Sequence, residues 1–167
     1  MFIIKKLAIN TSERQQALQA VASIEALVQP HDAWTEQTLA EMLAQDSMHM
    51  LIVYKQEDKA DNNEVIGYCL YQVIFEQAEI LRIGTHPDYQ RQGIASQLFD
   101  TLNNKLINNK VESLLLEVRA DNAPAIALYE QQAFAVIHTR KNYYQLPHQP
   151  CVDALIMQRV YDQQLAF

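Results

Sequence analysis

Residues 83–96 read Ile83-Gly84-Thr85-His86-Pro87-Asp88-Tyr89-Gln90-Arg91-Gln92-Gly93-Ile94-Ala95-Ser96, and they place two of the chain's three glycines around a Pro-containing turn between an apolar strand and a helix. The residue before a proline is pushed away from helical backbone, so the strand ends near His86. A helix start follows. Its first backbone N–H groups lack intrahelical partners and carry partial positive charge, which suits an anion such as a phosphate. The spacing Gln-x-x-Gly-x-Ala from Gln90 keeps Gly93 and Ala95 bare beside those donors, so a ligand can approach the backbone.

Downstream, Ile94, Leu98, Leu102 and Leu106 recur at every fourth position, with Ala95 and Phe99 widening the stripe, which predicts a helix to about Asn108. Ser113 to Arg119 is a strand. Because it follows a crossover helix, it lies parallel to the strand before the turn. Asn122 and Pro124 open a last helix, and Phe134 to Tyr144 and Val152 to Val160 are two final strands.

Upstream, Ala78 to Thr85, Val65 to about Phe75 and Met48 to Tyr54 read as an antiparallel meander, with a polar turn from Gln56 to Glu64 that contains Asp61-Asn62-Asn63. Residues 2–9 alternate as a first strand. Ser12 with Glu13 opens a helix to about Val28, where Leu18, Val21, Ala22 and Glu25 are spaced to form one stripe, and Pro30 stops it. Thr35 caps a second helix through Asp46, buried by Leu39, Met42 and Leu43, with Trp34 stapling its start. The series contains one central βαβ crossover. A doubly wound fold needs several, the dinucleotide fingerprint needs three glycines and an acidic ribose ligand, and a P-loop needs Gly-Lys-Ser/Thr; none is present.

The whole chain has 167 residues, 49% hydrophobic and 20% charged, which suits a single domain over residues 1–167 with a full core. A net charge of −7 without a basic run argues against non-specific nucleic-acid binding and is compatible with a basic substrate. Cys69 and Cys151 suggest neither a disulfide framework nor a zinc site, and the five histidines show no metal-ligand spacing, so no metal is expected. The N-terminal residues lack the pattern of a signal peptide, and no stretch approaches the ~20 apolar residues of a membrane span. A soluble cytoplasmic protein without direct membrane contact is expected; the oligomeric state is not encoded legibly.

Gln90-Arg91-Gln92-Gly93-Ile94-Ala95 behind a His-Pro-Asp-Tyr turn, followed by Leu116-Glu117-Val118-Arg119-Ala120-Asp121-Asn122 and Ala127-Leu128-Tyr129-Glu130, resembles the GNAT family of N-acetyltransferases. Within it, the likeness is to the RimI-type branch, which acetylates the N-terminal alanine of a small-subunit ribosomal protein. The resemblance is strong from Glu79 to Tyr144 and looser elsewhere. It implies an α/β (α+β) GNAT fold: a mixed, mostly antiparallel sheet of six to seven strands with four flanking helices, its central parallel pair splayed around acetyl-coenzyme A. It further implies that the backbone of Ile83, Gly84 and Thr85 pairs with the pantetheine arm. The amides of Arg91, Gln92, Gly93, Ile94, Ala95 and Ser96 then wrap the pyrophosphate, and Asn122 contacts the cofactor near the thioester. As a residue, Asn122 is equally a plain helix N-cap, and the two roles can coexist.

Period-two alternation puts Leu114, Leu116 and Val118 on one strand face and Leu115, Glu117 and Arg119 on the other. Glu117 is then either a general base toward the incoming amine or the partner of Arg119 or another cation at the strand end. Tyr129 sits where the resemblance places a general acid for the departing thiolate; its alternative is packing with Ala125 and Ile126. Tyr143-Tyr144 behind Arg140-Lys141-Asn142 resembles the border of an acceptor groove, and reads otherwise as packed aromatics with solvated cations. Three departures from the family pattern stand out: Gly84-Thr85 in place of a small apolar residue and Val, Arg82 in place of a small residue, and Ala133 where a glycine commonly ends the last helix. A left-handed Ala costs on the order of 1 kcal/mol, so that helix is expected to end differently.

The resemblance therefore implies acetyl transfer from acetyl-CoA to the N-terminal amine of a ribosomal protein, without a covalent enzyme intermediate. A lysine or small-amine acetyltransferase and a non-catalytic acyl-CoA-binding module are the alternatives; the joint presence of Glu117, Asn122 and Tyr129 speaks against the last.

Overall fold

The computed structural model describes residues 1–57 and 63–162. Asp61 and Asn62 of the expected polar turn lie outside the described residues. The elements are β1 (Phe2–Lys6), α1 (Thr11–Val28), α2 (Glu36–Leu43), β2 (Met48–Lys55), β3 (Glu64–Ile74), β4 (Gln77–Thr85), α3 (Ile94–Asn108), β5 (Ser113–Arg119), α4 (Ala123–Gln131), β6 (Ala135–Tyr144) and β7 (Val152–Val160). The strands form one seven-stranded sheet in the order β1-β2-β3-β4-β5-β7-β6. β4 and β5 run parallel, while β1 with β2, β2 with β3, β5 with β7 and β6 with β7 pair antiparallel. This is the mixed sheet with four helices that the sequence implies.

Local chemistry moves several boundaries. α1 is capped by Asn10, whose side chain accepts from the backbone N–H of Ser12 and Glu13, so the cap precedes the expected Ser12. Thr35 caps α2 as expected, through the N–H of Thr38. That helix stops at Leu43 rather than Asp46: Gln45 N–H turns back to the Met42 carbonyl and Met48 N–H to that of Gln45, a tight turn suited to the Asp46-Ser47 pair. β1 ends at Lys6, short of the expected residue 9.

Internal contacts define two compact units. The first comprises Met1–Gln72 and Arg82–Lys105. Its core joins Val21 of α1, Leu39 of α2, Leu51, Ile52 and Val53 of β2, Ile66 and Leu70 of β3, and Leu98, Phe99 and Leu102 of α3, all fully buried. Consecutive buried residues in β2 mean that both of its faces are covered, and truncating a residue such as Phe99 to Ala costs about 3–5 kcal/mol. The second unit comprises Val73–Leu81 and Leu106–Phe167. In it β5 alternates as expected, with Leu114, Leu116 and Val118 buried and Leu115, Glu117 and Arg119 on the other face.

Candidate active site

In the first unit, the stretch from Ile83 to Ser96 forms the end of β4, a 3-10 turn at Pro87–Tyr89 and the start of α3. His86 is the turn residue expected: its Nδ1 accepts from Asp88 N–H at 3.1 Å, and its own N–H reaches the Ile66 carbonyl at 2.8 Å. Gln90 donates its side-chain amide to the Thr85 carbonyl at 3.2 Å, fastening the loop to the strand end. Tyr89 is held at its hydroxyl by Lys55 at 3.3 Å and donates to Glu64 at 2.9 Å.

Arg91 and Gly93 both adopt left-handed backbone, with φ of 61° and 79°. Only Gly93 does so without a Cβ penalty, and a Cβ built there meets nothing within 4 Å. The Gly93 carbonyl accepts from Gln97 N–H at 3.1 Å as the helix begins, which leaves the amides of Ile94, Ala95 and Ser96 in the first turn where α-helices have no internal acceptors. An anion fits this cradle of bare backbone and outward N–H groups.

Arg82 points inward. The residue is 8% exposed, and its guanidinium donates from Nε at 3.0 Å and Nη2 at 2.6 Å to Oε2 of Glu25, which is fully buried. Nη2 also reaches the Asp32 carbonyl at 3.0 Å, Nη1 the Asp32 carboxylate at 3.4 Å, and the group lies 5.1 Å from the Trp34 ring centroid. The Glu25 carboxylate further accepts from the Tyr68 hydroxyl, Trp34 N–H and Gln29. Burial works against the charge on Arg82, but its bonds to Glu25 and Asp32 outweigh that and hold it above its ordinary value. The sequence marks each of these residues as buried without marking them as partners: Glu25 sits on the apolar stripe with Leu18 and Val21, and Arg82 alternates with buried Ala78 and Ile80 on β4.

In the second unit, Glu117 is part-buried at the centre of a small network. Its Oε1 accepts from the Tyr144 hydroxyl at 3.2 Å, and its Oε2 lies 3.5 Å from Arg140 Nη1. Arg119 makes a two-pronged pair with Asp121 at 3.0 Å and lies over the Tyr144 ring, and Arg140 is a cation on Glu117. Glu79 of β4 pairs in register with Leu115, on the face that also carries Glu117. Partial loss of water raises the Glu79 carboxyl above its ordinary value, the charge of Glu117 adds to this, and Arg140 opposes it. The parallel ladder is confined to Gln77↔Ser113, Ala78↔Leu114 and Glu79↔Leu115, although β4 continues to Thr85 and β5 to Arg119.

Asn122 caps α4, accepting from Ala125 N–H at 3.3 Å. Tyr129 is buried in the last turn of that helix and packs against Phe134, ring centroids 6.0 Å apart. The helix ends through Ala133 in left-handed backbone at φ 66°, contrary to the expectation of a different ending. Phe134 N–H returns to the Tyr129 carbonyl and Ala133 N–H to that of Glu130, both at 3.0 Å, so two terminal carbonyls are satisfied and the Tyr129–Phe134 contact closes the motif. Those bonds outweigh the Cβ penalty. Tyr143 and Tyr144 pack edge to face at 5.2 Å, and Lys141 lies 3.7 Å from Asp153.

No helix among the described residues is long and apolar enough to cross a membrane. The chain matches the Acetyltransferase (GNAT) family over residues 18–134. It is 35% identical over 111 residues to the ribosomal protein bS18-alanine N-acetyltransferase of Escherichia coli K12, covering 66% of this chain and 70% of that one. To the enzyme of the same description from Haemophilus ducreyi it is 31% identical over 124 residues, 74% of this chain and 81% of that one. The crystal structure of the ribosomal-protein-S18-alanine N-acetyltransferase from Escherichia coli superimposes with a TM-score of 0.79 at 30% identity, covering 100% of both chains.

Proposed function

Because the chain belongs to the GNAT family of acetyltransferases, we propose that it transfers the acetyl group of acetyl-CoA to the N-terminal α-amine of a protein, the N-terminal alanine of ribosomal protein bS18 first among candidates. The single observation that carries the acceptor assignment is the identity of 30% or more, over most of both chains, to enzymes of that description. The chain acts as a single catalytic domain, and the reaction requires no metal.

The first unit serves the donor. Arg91 to Ser96 hold the pyrophosphate through backbone N–H groups, a role supported by the left-handed Gly93 and the α3 N-terminus. The backbone of Ile83, Gly84 and Thr85 pairs with the pantetheine arm, a role supported by the place of these residues at the end of β4, directly before the turn that leads to α3. The second unit supplies the proton chemistry. Glu117 accepts the proton of the acceptor ammonium, directly or through water, while Tyr144 and Arg140 hold its two oxygens in place. A backbone N–H of β4 donates to the oxyanion that develops as the amine attacks the thioester. Tyr129 gives its proton to the coenzyme A thiolate, and Asn122, beyond its capping role, contacts the cofactor near the thioester.

Chemistry favours this acceptor class. An α-amine with a pKa near 8 is about one-tenth neutral at pH 7, whereas a lysine near 10.4 is neutral in fewer than about one molecule in a thousand. Incubation with acetyl-CoA and peptides copying candidate N-termini, followed by mass spectrometry, tests the proposal. Acetylated Ala-initiated peptide supports it; modification only of polyamines or other small amines overturns the acceptor assignment.

A further inference from the structure

Gly84 stands at the strand end assigned above to the cofactor, and its backbone is not left-handed, so conformation does not explain the glycine. Space does. A Cβ built on Gly84 would lie 2.7 Å from the Tyr68 hydroxyl oxygen and 3.0 Å from Cε1 and Cζ of that ring. Opposite it, a Cβ on Gly67 would lie 3.2 Å from the Gly84 carbonyl, so the β3 and β4 backbones approach closely here as well. Tyr68 is fully buried, and its hydroxyl donates to Glu25.

Resting on the assignment of Ile83–Thr85 to acetyl-CoA, we propose that Tyr68 is the positioning residue of that strand end: its hydroxyl, anchored to buried Glu25, fills the side-chain space of Gly84 and sets the backbone that meets the pantetheine. Glu25 therefore grips β4 twice. Arg82 bonds it directly with two nitrogens, and Tyr68 bonds it while lying against Gly84, two residues further along. Burial and the neighbouring Glu25 push the phenol of Tyr68 far up, so it remains a donor at every physiological pH. The same carboxylate accepts from Trp34 N–H, so the segment before α2 is fastened to the same point.

The test is a cycle of Tyr68→Phe, Gly84→Ala and the double variant, read by calorimetric titration with acetyl-CoA, by the KM for acetyl-CoA against kcat, and by thermal melts. Each single variant should weaken acetyl-CoA binding, Gly84→Ala by about tenfold in both Kd and KM. In the double variant the contact at 2.7 Å is gone and only the ring carbons at 3.0 Å remain to yield, so the combined loss of affinity should be clearly smaller than the product of the two single losses. If Gly84→Ala alone does not fold, recovery of folded, acetyl-CoA-binding protein in the double variant is the same result. Parent-like affinity in both singles, or losses that simply add in the double variant, overturns the positioning role. A parent chain with no affinity for acetyl-CoA overturns the functional reading itself, and this role with it.

Discussion

Tyr144 donates its hydroxyl to Oε1 of Glu117 from a different strand, across 3.2 Å. Arg140 holds the other oxygen at 3.5 Å, so the carboxylate has a defined orientation while part of it stays exposed. Proton acceptance by a positioned group contributes roughly 10²–10⁴-fold to rate. Glu117→Gln should therefore lower kcat by about 10²-fold or more while leaving the Kd for acetyl-CoA within about twofold. Tyr129→Phe keeps the packing on Phe134 and should act in the same direction. Release of coenzyme A, followed with a thiol reagent, gives the rates; unchanged turnover in both variants would remove both residues from the mechanism.

Ala133 carries a left-handed φ of 66° to complete the α4 ending. Glycine adopts that conformation without a Cβ penalty, so Ala133→Gly should stabilise the fold by up to about 1 kcal/mol, or about 2–4 °C in Tm for a chain of this size. Differential scanning calorimetry measures it, and a lower Tm would show that the helix end is held by something other than the backbone bonds described.

Glu79 carries a raised carboxyl, first from partial desolvation and then from Glu117. A raised acid favours the folded state below its ordinary value of 4.5, and that contribution is lost as pH climbs through the raised value. At pH 7 the parent thus bears a penalty that Glu79→Gln removes. Because the side chain is exposed and screened, the gain should be only about 1 °C at pH 7 and should vanish near pH 3.5. Melts at the two pH values decide it; a gain confined to the acid side contradicts the sign.

Gly93 has φ of 79° with open space where a side chain would be. Gly93→Ala should cost about 1 kcal/mol of stability through backbone strain alone. Its larger effect should be a raised KM for acetyl-CoA, because the methyl enters the open space beside the loop assigned to the pyrophosphate. Steady-state kinetics with acetyl-CoA as the varied substrate read this directly, and a KM equal to the parent's would displace the phosphate from this loop.

Local pattern carried most of the architecture. The alternation in Leu114 to Arg119 predicted which face of β5 is buried, and Asn122 and Thr35 cap the helices they were expected to cap. What escaped is non-local. The Arg82–Glu25 pair joins residues 57 positions apart, and the Tyr144–Glu117 bond spans 27, so neither is visible until strand register and helix placement bring the side chains together. Ala133 shows the opposite failure, a local preference overridden: its left-handed backbone persists because two carbonyls and the Tyr129–Phe134 contact depend on it. The candidate donor loop could be read from its glycine and proline spacing. The acceptor side had no such punctuation.

The most direct test of α-amine transfer uses one peptide that begins with a free alanine and also contains an internal lysine, incubated with acetyl-CoA and the protein near pH 7 and sequenced by fragmentation mass spectrometry. The expected product carries a single acetyl group on the N-terminal nitrogen, and its formation depends on Glu117. Acetyl found on the lysine side chain, with the N-terminus left free, would contradict α-amine transfer.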